Sequence, residues 1–363
     1  MNMYNQPWRL VPNRIRGQGG REIDKFRGIE PPVDDASGSE AWIGSVTRVA
    51  RPPQDKPNYG CSEVTLPDGR RCFLFEAIAE NPEAALGKEH MRRNGTGLGM
   101  LIKFLDAQRQ YGLQCHPTRP WAKQMWNSPY GKEESWYVIG TRDDTEEPAY
   151  ILLGFKEGVT REEWEKHYFA DDLKALEGLC HKIHVQVGET YFVGGGCPHA
   201  LGEGCFVIEV QEPSDITLGA RPLPERDRSG RPIDPEERRL YDERLLGAYV
   251  YDGCDEAENL RRWRAPRQRL REGDWGGEDL LIGPKQTSFF SFSELTVQGQ
   301  APIRHTGFPQ VAIVLSGEGS LLFEGGQMPI RQADELFFPY DIPDFRVQGD
   351  VKLILCNPEG MRF

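Results

Sequence analysis

The chain has 363 residues, 38% of them hydrophobic and 28% charged, with 40 glycines and 27 prolines. That length allows two or three domains and a large core, and the Gly and Pro content favours turn-rich β structure over a helical bundle. The formal net charge of −12 argues against a general nucleic-acid binder, which needs a basic stripe.

The longest apolar runs, such as Val311–Leu315 and Leu353–Cys356, have strand length and fall short of the roughly 20 residues a membrane helix requires. The first residues, MNMYNQPWRLVPNRIRG, lack the apolar core of a signal peptide. The eight cysteines are scattered and form no C-x-x-C pair, which excludes a zinc ribbon and suits reduced thiols. The expectation is a cytoplasmic protein with a small-molecule partner and neither nucleic acid nor membrane. Oligomeric state is left open.

Residues 1–38 are polar and rich in Gly and Pro, and are expected to form an irregular arm over the body. SEAWIGSVTRVA (Ser39–Ala50) predicts a strand, with Trp42 as core filler or a pocket wall. SEVTLPDGRRCFLFEAI predicts a hairpin, because Pro-Asp-Gly supplies the turn between two strand-like runs. Asn81–Gly99 predicts a short helix and a glycine-rich link, without the spacing of a phosphate loop. LGMLIKFL (Leu98–Leu105) predicts a strand carrying Lys103, whose ammonium must reach water, a carboxylate or a pocket.

The next stretch, QCHPTRPWAKQMWNSPYGKEESWYVIG, carries chemistry. Gln114 and His116, two apart on a strand, point to one side while Cys115 points to the other. A following hairpin would bring Glu134 to the same spot. An amide oxygen, an imidazole nitrogen and a carboxylate converging inside β structure make a plausible divalent-metal site. His199, in GGGCPHALGEG, is the candidate fourth ligand, with His181 and His184 as alternatives. Between them, Val159–Leu179 predicts a helical passage whose Thr160 and Glu163 form a capping box. HVQV and FVIEVQ alternate with period two, as strands do.

Leu218–Gly283 is charged and partly helical and reads as a surface connector. Residues 284–363 return to short strands at even spacing, with turns at SGEG, EGG, PYD and QGD, the habit of a small sandwich or barrel. The fold expected is mostly β, with two jelly-roll modules, a helical insertion and a charged connector. The expected boundaries are 1–217 for the arm and metal-binding roll (insertion near 159–179), 218–283 for the connector and 284–363 for the second roll.

The layout Gly112-x-Gln114-x-His116, Glu134, Gly140, then Gly188, Gly194–Gly196 and His199 resembles the two halves of a cupin signature. SEAWIGS, LIKFLDA, QCHP, GKEESWYVIG, GGGCPHALGEG and IEVQEPSDIT, in that order, resemble the motifs of the type I phosphomannose (mannose-6-phosphate) isomerase family. The resemblance spans most of the chain, and the C-terminal segment resembles that family's metal-free second cupin.

What the resemblance implies is a Zn²⁺-dependent aldose–ketose isomerase, other divalent metals being possible, with Gln114, His116, Glu134 and His199 as ligands. Lys132 falls on the family's GK-x-E lysine and Lys103 on the lysine of its LIKFLDA-like strand. Lys132 is then a proton shuttle or an anchor for a sugar hydroxyl or phosphate. Glu209 and Asp215 are possible bases, Glu209 also being a possible support for the metal ligands. Trp42, Lys103 and Asp215 would line the substrate. Two departures stand out: Gly112 occupies the family's usual serine position, and Gly219 replaces an arginine, with Arg221 as a possible substitute. Both touch the substrate end, leaving an isomerase or epimerase of a different sugar, phosphorylated or not, or a non-catalytic sugar-binding cupin, as alternatives.

Overall fold

The computed structural model describes residues 2–31, 34–50, 52–227 and 230–358. Two antiparallel five-stranded sheets form the first roll. One runs, in spatial order, Thr190–Val193, Glu134–Thr141, Cys205–Gln211, Leu101–Asp106 and Glu40–Ile43. The other runs Leu218–Gly219, Gln114–Cys115, His199–Leu201, Tyr150–Phe155 and Cys180–His184. Leu105, Val138, Tyr191 and Val207 of the first sheet pack against Ile151, Leu153, Ile183 and Leu201 of the second, closing the interior.

Both faces of the first sheet are covered. All seven residues of Cys205–Gln211 are buried. Phe206, Ile208 and Val210 face the second roll, where they join Phe292, Ile313 and Ile354; the alternate positions, including Glu209 and Gln211, face the interior of the first. This strand is therefore apolar on its outward side and partly polar on its inward side. That is the reverse of a simple β-sandwich, and it is possible only because a second roll dries the outer face.

The helical insertion consists of Arg161–Phe169 and Leu173–Gly178. The Thr160 hydroxyl accepts a hydrogen bond from Glu163 N at 3.2 Å, satisfying an otherwise unpaired first-turn amide. Trp164, Tyr168 and Leu176 pack with Cys115, Leu152 and Ala200 on the outer face of the second sheet, joined by Leu245 and Leu246 from helix Pro235–Leu246.

Several expectations need amending. The arm is not irregular throughout: Trp8–Val11 is a strand and Arg21–Phe26 a helix. Trp8 pairs with Phe337 of the C-terminal roll, and Leu10 pairs with Val64. The hairpin Glu63–Thr65/Arg71–Phe73 exists, but its chain continues as helix Leu74–Glu80 rather than strand. The segment expected as a connector holds helices Pro235–Leu246 and Glu256–Trp263, and then strands Gln268–Gly273 and Gly276–Ile282. Those two strands join the C-terminal sheet, as do the strands from the arm and the hairpin, so this ten-stranded sheet crosses both expected boundaries. Backbone pairing rather than composition decides membership, because an unpaired edge strand recruits whatever segment the chain places beside it.

A candidate metal centre

Gln114 and Glu134 do not meet through a hairpin. They lie on opposite sheets and face each other across the roll. Helix Arg119–Trp126 makes the crossing; it opens at Thr118, whose hydroxyl accepts from Trp121 N at 3.4 Å, and stops at Asn127 in a left-handed conformation. Cys115 points outward into the apolar layer under the insertion, so Gln114 and His116 share the inward side. His199 opens its strand directly opposite Gln114 in register.

The side chains converge. One ligand atom each from His116, Glu134 and His199 lies within 4.8 Å of the others, and all three residues are buried. Glu134 Oε2 is 3.1 Å from His116 Nε2, and Oε1 is 3.4 Å from His199 Nε2. Gln114 Nε2 is 3.3 Å from His199 Nε2. Half a turn of that amide would present its oxygen instead.

The outer nitrogens of both rings are tied back. His116 Nδ1 donates to the Ile216 carbonyl at 3.0 Å and His199 Nδ1 to the Cys197 carbonyl at 2.9 Å. A carbonyl can only accept, so each Nδ1 carries the proton and each Nε2 keeps its lone pair toward Glu134. Burial, reinforced by the Lys132 cation, pushes the His116 imidazolium down to about 3; burial also lowers that of His199. Burial by itself would raise the Glu134 carboxyl, but the Lys132 cation leads the groups that hold it well below the usual carboxylate range.

Lys132 Nζ stands 2.6 Å from His116 Nε2 and 3.0 Å from Glu134 Oε2. Even so, neither oxygen of Glu134 receives a well-aligned hydrogen bond, and both are fully enclosed. Two imidazole lone pairs, two under-satisfied carboxylate oxygens and a rotatable amide oxygen fit a divalent cation of the zinc type.

A second layer lies one step along the first sheet. Trp42, Lys103, Glu209, Trp136 and Tyr191 stand side by side on adjacent strands; Gln211 and Glu134 form the next row on the same face. Lys103 Nζ donates to Glu209 Oε1 at 2.7 Å and Gln211 Oε1 at 2.6 Å. The other Glu209 oxygen accepts from Trp136 Nε1 at 3.1 Å. Burial pushes the Glu209 carboxyl up, offset in part by Lys103. Burial opposes the Lys103 charge, yet Glu209 leads the carboxylates that hold its ammonium above the ordinary value.

At the margin of this row, Arg16 Nε is 3.1 Å from Glu40 Oε1 and its Nη2 is 3.0 Å from Asp215 Oδ1. Asp215 also accepts from Ala50 N at 3.0 Å. Trp42 donates its Nε1 to Glu40 at 3.0 Å, and the Arg16 guanidinium lies 5.8 Å from the Trp42 ring.

The expected residues divide accordingly. Gln114, His116, Lys132, Glu134 and His199 meet in one buried cluster. Trp42, Lys103 and Glu209 form the row beside it, and Asp215 sits at its edge. Arg221 does not join them: its side chain is exposed and pairs with Asp171 of the insertion at 3.1 Å. It follows the edge strand Leu218–Gly219 after the sheet has ended, so nothing steers it inward. His181 and His184 belong to the far strand of the second sheet, and His181 Nε2 bonds the Cys254 carbonyl at 2.9 Å instead. Gln211 was missed, although it follows Glu209 by two in an alternating strand. Arg16 and Glu40 gave no signal before the arm was folded against the sheet.

Comparison with known proteins places this architecture. Residues 284–358 match the family model described as mannose-6-phosphate isomerase, cupin domain. A mannose-6-phosphate isomerase of Streptococcus mutans is 27% identical over 258 residues, covering 71% of this chain and 73% of that protein. The probable mannose-6-phosphate isomerase GmuF of Bacillus subtilis is 25% identical over 265 residues, covering 73% and 76%. The chain is thus similar to mannose-6-phosphate isomerases over 71–73% of its length.

Solved structures agree on the fold. The crystal structure of the Bacillus subtilis mannose 6-phosphate isomerase superposes with a TM-score of 0.74 at 22% identity, covering 97% of this chain and 99% of that one. A zinc-bound mannose 6-phosphate isomerase gives 0.72 at 16% identity, covering 98% and 100%. The family model falls on the second roll, whereas the metal cluster lies in the first. Among the described residues, no helix is long and apolar enough to cross a membrane.

Proposed function

We propose that this chain is a zinc-dependent aldose–ketose isomerase interconverting mannose-6-phosphate and fructose-6-phosphate through a cis-enediol. The observation that carries the reading is the Lys132–His116–Glu134–His199 cluster. A buried amine touches two ligand-type groups whose lone pairs are already aimed inward. The mannose-6-phosphate isomerases among its relatives support the choice of sugar.

In this reading Gln114, His116, Glu134 and His199 hold the cation. When bound, the cation supplies Lewis acidity toward the sugar's C1 and C2 oxygens. Lys132 carries a proton between C2 and C1, a positioned acid–base contribution worth about 10²–10⁴-fold. Glu209, with both oxygens occupied by Lys103 and Trp136, acts by positioning Lys103 rather than as the base. Trp42 and Lys103 wall the pocket, while Asp215 orients Arg16 at its margin. Enclosure of the cluster keeps water from competing for the enediol. A cytoplasmic location belongs to the same reading, supported by eight free cysteines.

The test is a coupled isomerase assay on zinc-loaded protein, together with deuterium uptake from D₂O at the sugar's C1 and C2. Turnover with deuterium incorporation is expected. Stoichiometric zinc without turnover or exchange would sink the assignment.

A further inference from the structure

We infer that the same site also isomerises unphosphorylated aldoses such as free mannose, because it offers a phosphate group little extra binding energy. The inference rests on the isomerase reading above.

Three cations stand in the cluster and the row beside it, and each is engaged by carboxylates. Lys132 lies 3.0 Å from Glu134 and Lys103 2.7 Å from Glu209; Arg16 lies between Glu40 and Asp215. That is three positive groups against four carboxylates. A phosphate dianion entering this set would have to break an ion pair or sit beside a carboxylate, and either cost offsets the charge-assisted bonds gained.

One position that could present a further donor beside the metal ligands is bare. Gly219 is Gln114's partner in register. A Cβ there would meet nothing within 4 Å. Its backbone is not left-handed, so the space is open because a side chain is missing and not because the chain forbids one. The pocket margin is therefore a mixed array of carboxylates, a guanidinium and indole faces. Such an array suits the paired donors and acceptors of sugar hydroxyls. The reaction on a free aldose needs no co-reactant: the C2–H bond breaks, a C1–H bond forms, and the hydroxyl proton moves from O2 to O1.

The experiment compares kcat/KM for mannose-6-phosphate and for mannose on the zinc-loaded enzyme. One well-made charge-assisted contact is worth on the order of 100-fold. A ratio below that is expected, and a larger one overturns the proposal. In Gly219→Arg the ratio should rise at least ~10-fold as a donor fills the open space; an unchanged ratio would remove position 219 from the explanation.

Calorimetry with mannitol and its terminal phosphate ester, which cannot isomerise, separates this inference from the isomerase reading. Affinities within ~100-fold of each other support it even if no sugar turns over. Phosphate-dependent binding beyond that range, or no binding of mannitol, overturns it even if mannose-6-phosphate is a substrate.

Discussion

His199 stands directly opposite Gln114 across an antiparallel pair, their Nε2 atoms 3.3 Å apart. Because His199 Nδ1 is committed to the Cys197 carbonyl, its Nε2 has no partner within its own strand and faces Glu134 on the opposing sheet. Glu134→Ala and His199→Ala each remove one corner of this arrangement. Both variants should lose at least ~10-fold in metal affinity while the second roll stays folded. Elemental analysis beside thermal unfolding checks this, and stoichiometric metal in both would show that the site lies elsewhere.

Lys132→Met keeps the length of the side chain and removes its nitrogen. Bound metal should remain, because the ligands are untouched, while kcat falls by about 10²–10⁴-fold. Metal content and steady-state kinetics on one preparation separate the two effects. Activity near wild type would remove Lys132 from the proton path.

Lys103→Met leaves Glu209 buried without its ammonium, keeping only the Trp136 bond. Breaking one side of a buried pair costs about 3–5 kcal/mol, read as a lower denaturation midpoint. The double variant Lys103→Met/Glu209→Gln should recover part of that loss, since no charge is then stranded. A double variant less stable than Lys103→Met alone would contradict the pairing argument.

The metal-free protein should lose stability as pH falls from about 6.5 toward the value of about 3 for His116. In that window the unfolded chain binds a proton that the folded imidazole refuses, so stability rises with pH across it. One such group contributes up to about 1.4 kcal/mol per pH unit. Urea melts of chelator-treated protein at pH 6 and 5 measure the slope, and His116→Gln should make it shallower. Equal slopes would mean that His116 already titrates like an exposed histidine.

Trp8→Ala tests how firmly the arm is built in. Trp8 is fully buried, lies 5.3 Å from the Phe337 ring and donates Nε1 to the Met3 carbonyl at 2.7 Å. Removing a buried tryptophan costs about 3–5 kcal/mol. If the arm were a loose cover, as its composition suggests, the midpoint would hardly move.

Much of the site was legible because its signals are local. Two-residue spacing on a strand places Gln114 and His116 together and Cys115 apart, and the fold keeps that division. Arg221 went astray for the opposite reason: beyond a strand end, sequence distance no longer implies direction, and the nearest acid was Asp171 of the insertion.

By itself the sequence determined the strand faces, the ligand types and the order of family-like motifs, because side-chain alternation is a property of a single strand. Which face became the interior was decided only by tertiary structure. Cys205–Gln211 could have turned its apolar side inward. The second roll covers that side and leaves Glu209 and Gln211 to line the pocket with Lys103. The meeting of Gln114 with Glu134 across two sheets, and of Arg16 with Asp215, likewise depends on how separate elements pack, which no spacing along one chain segment encodes.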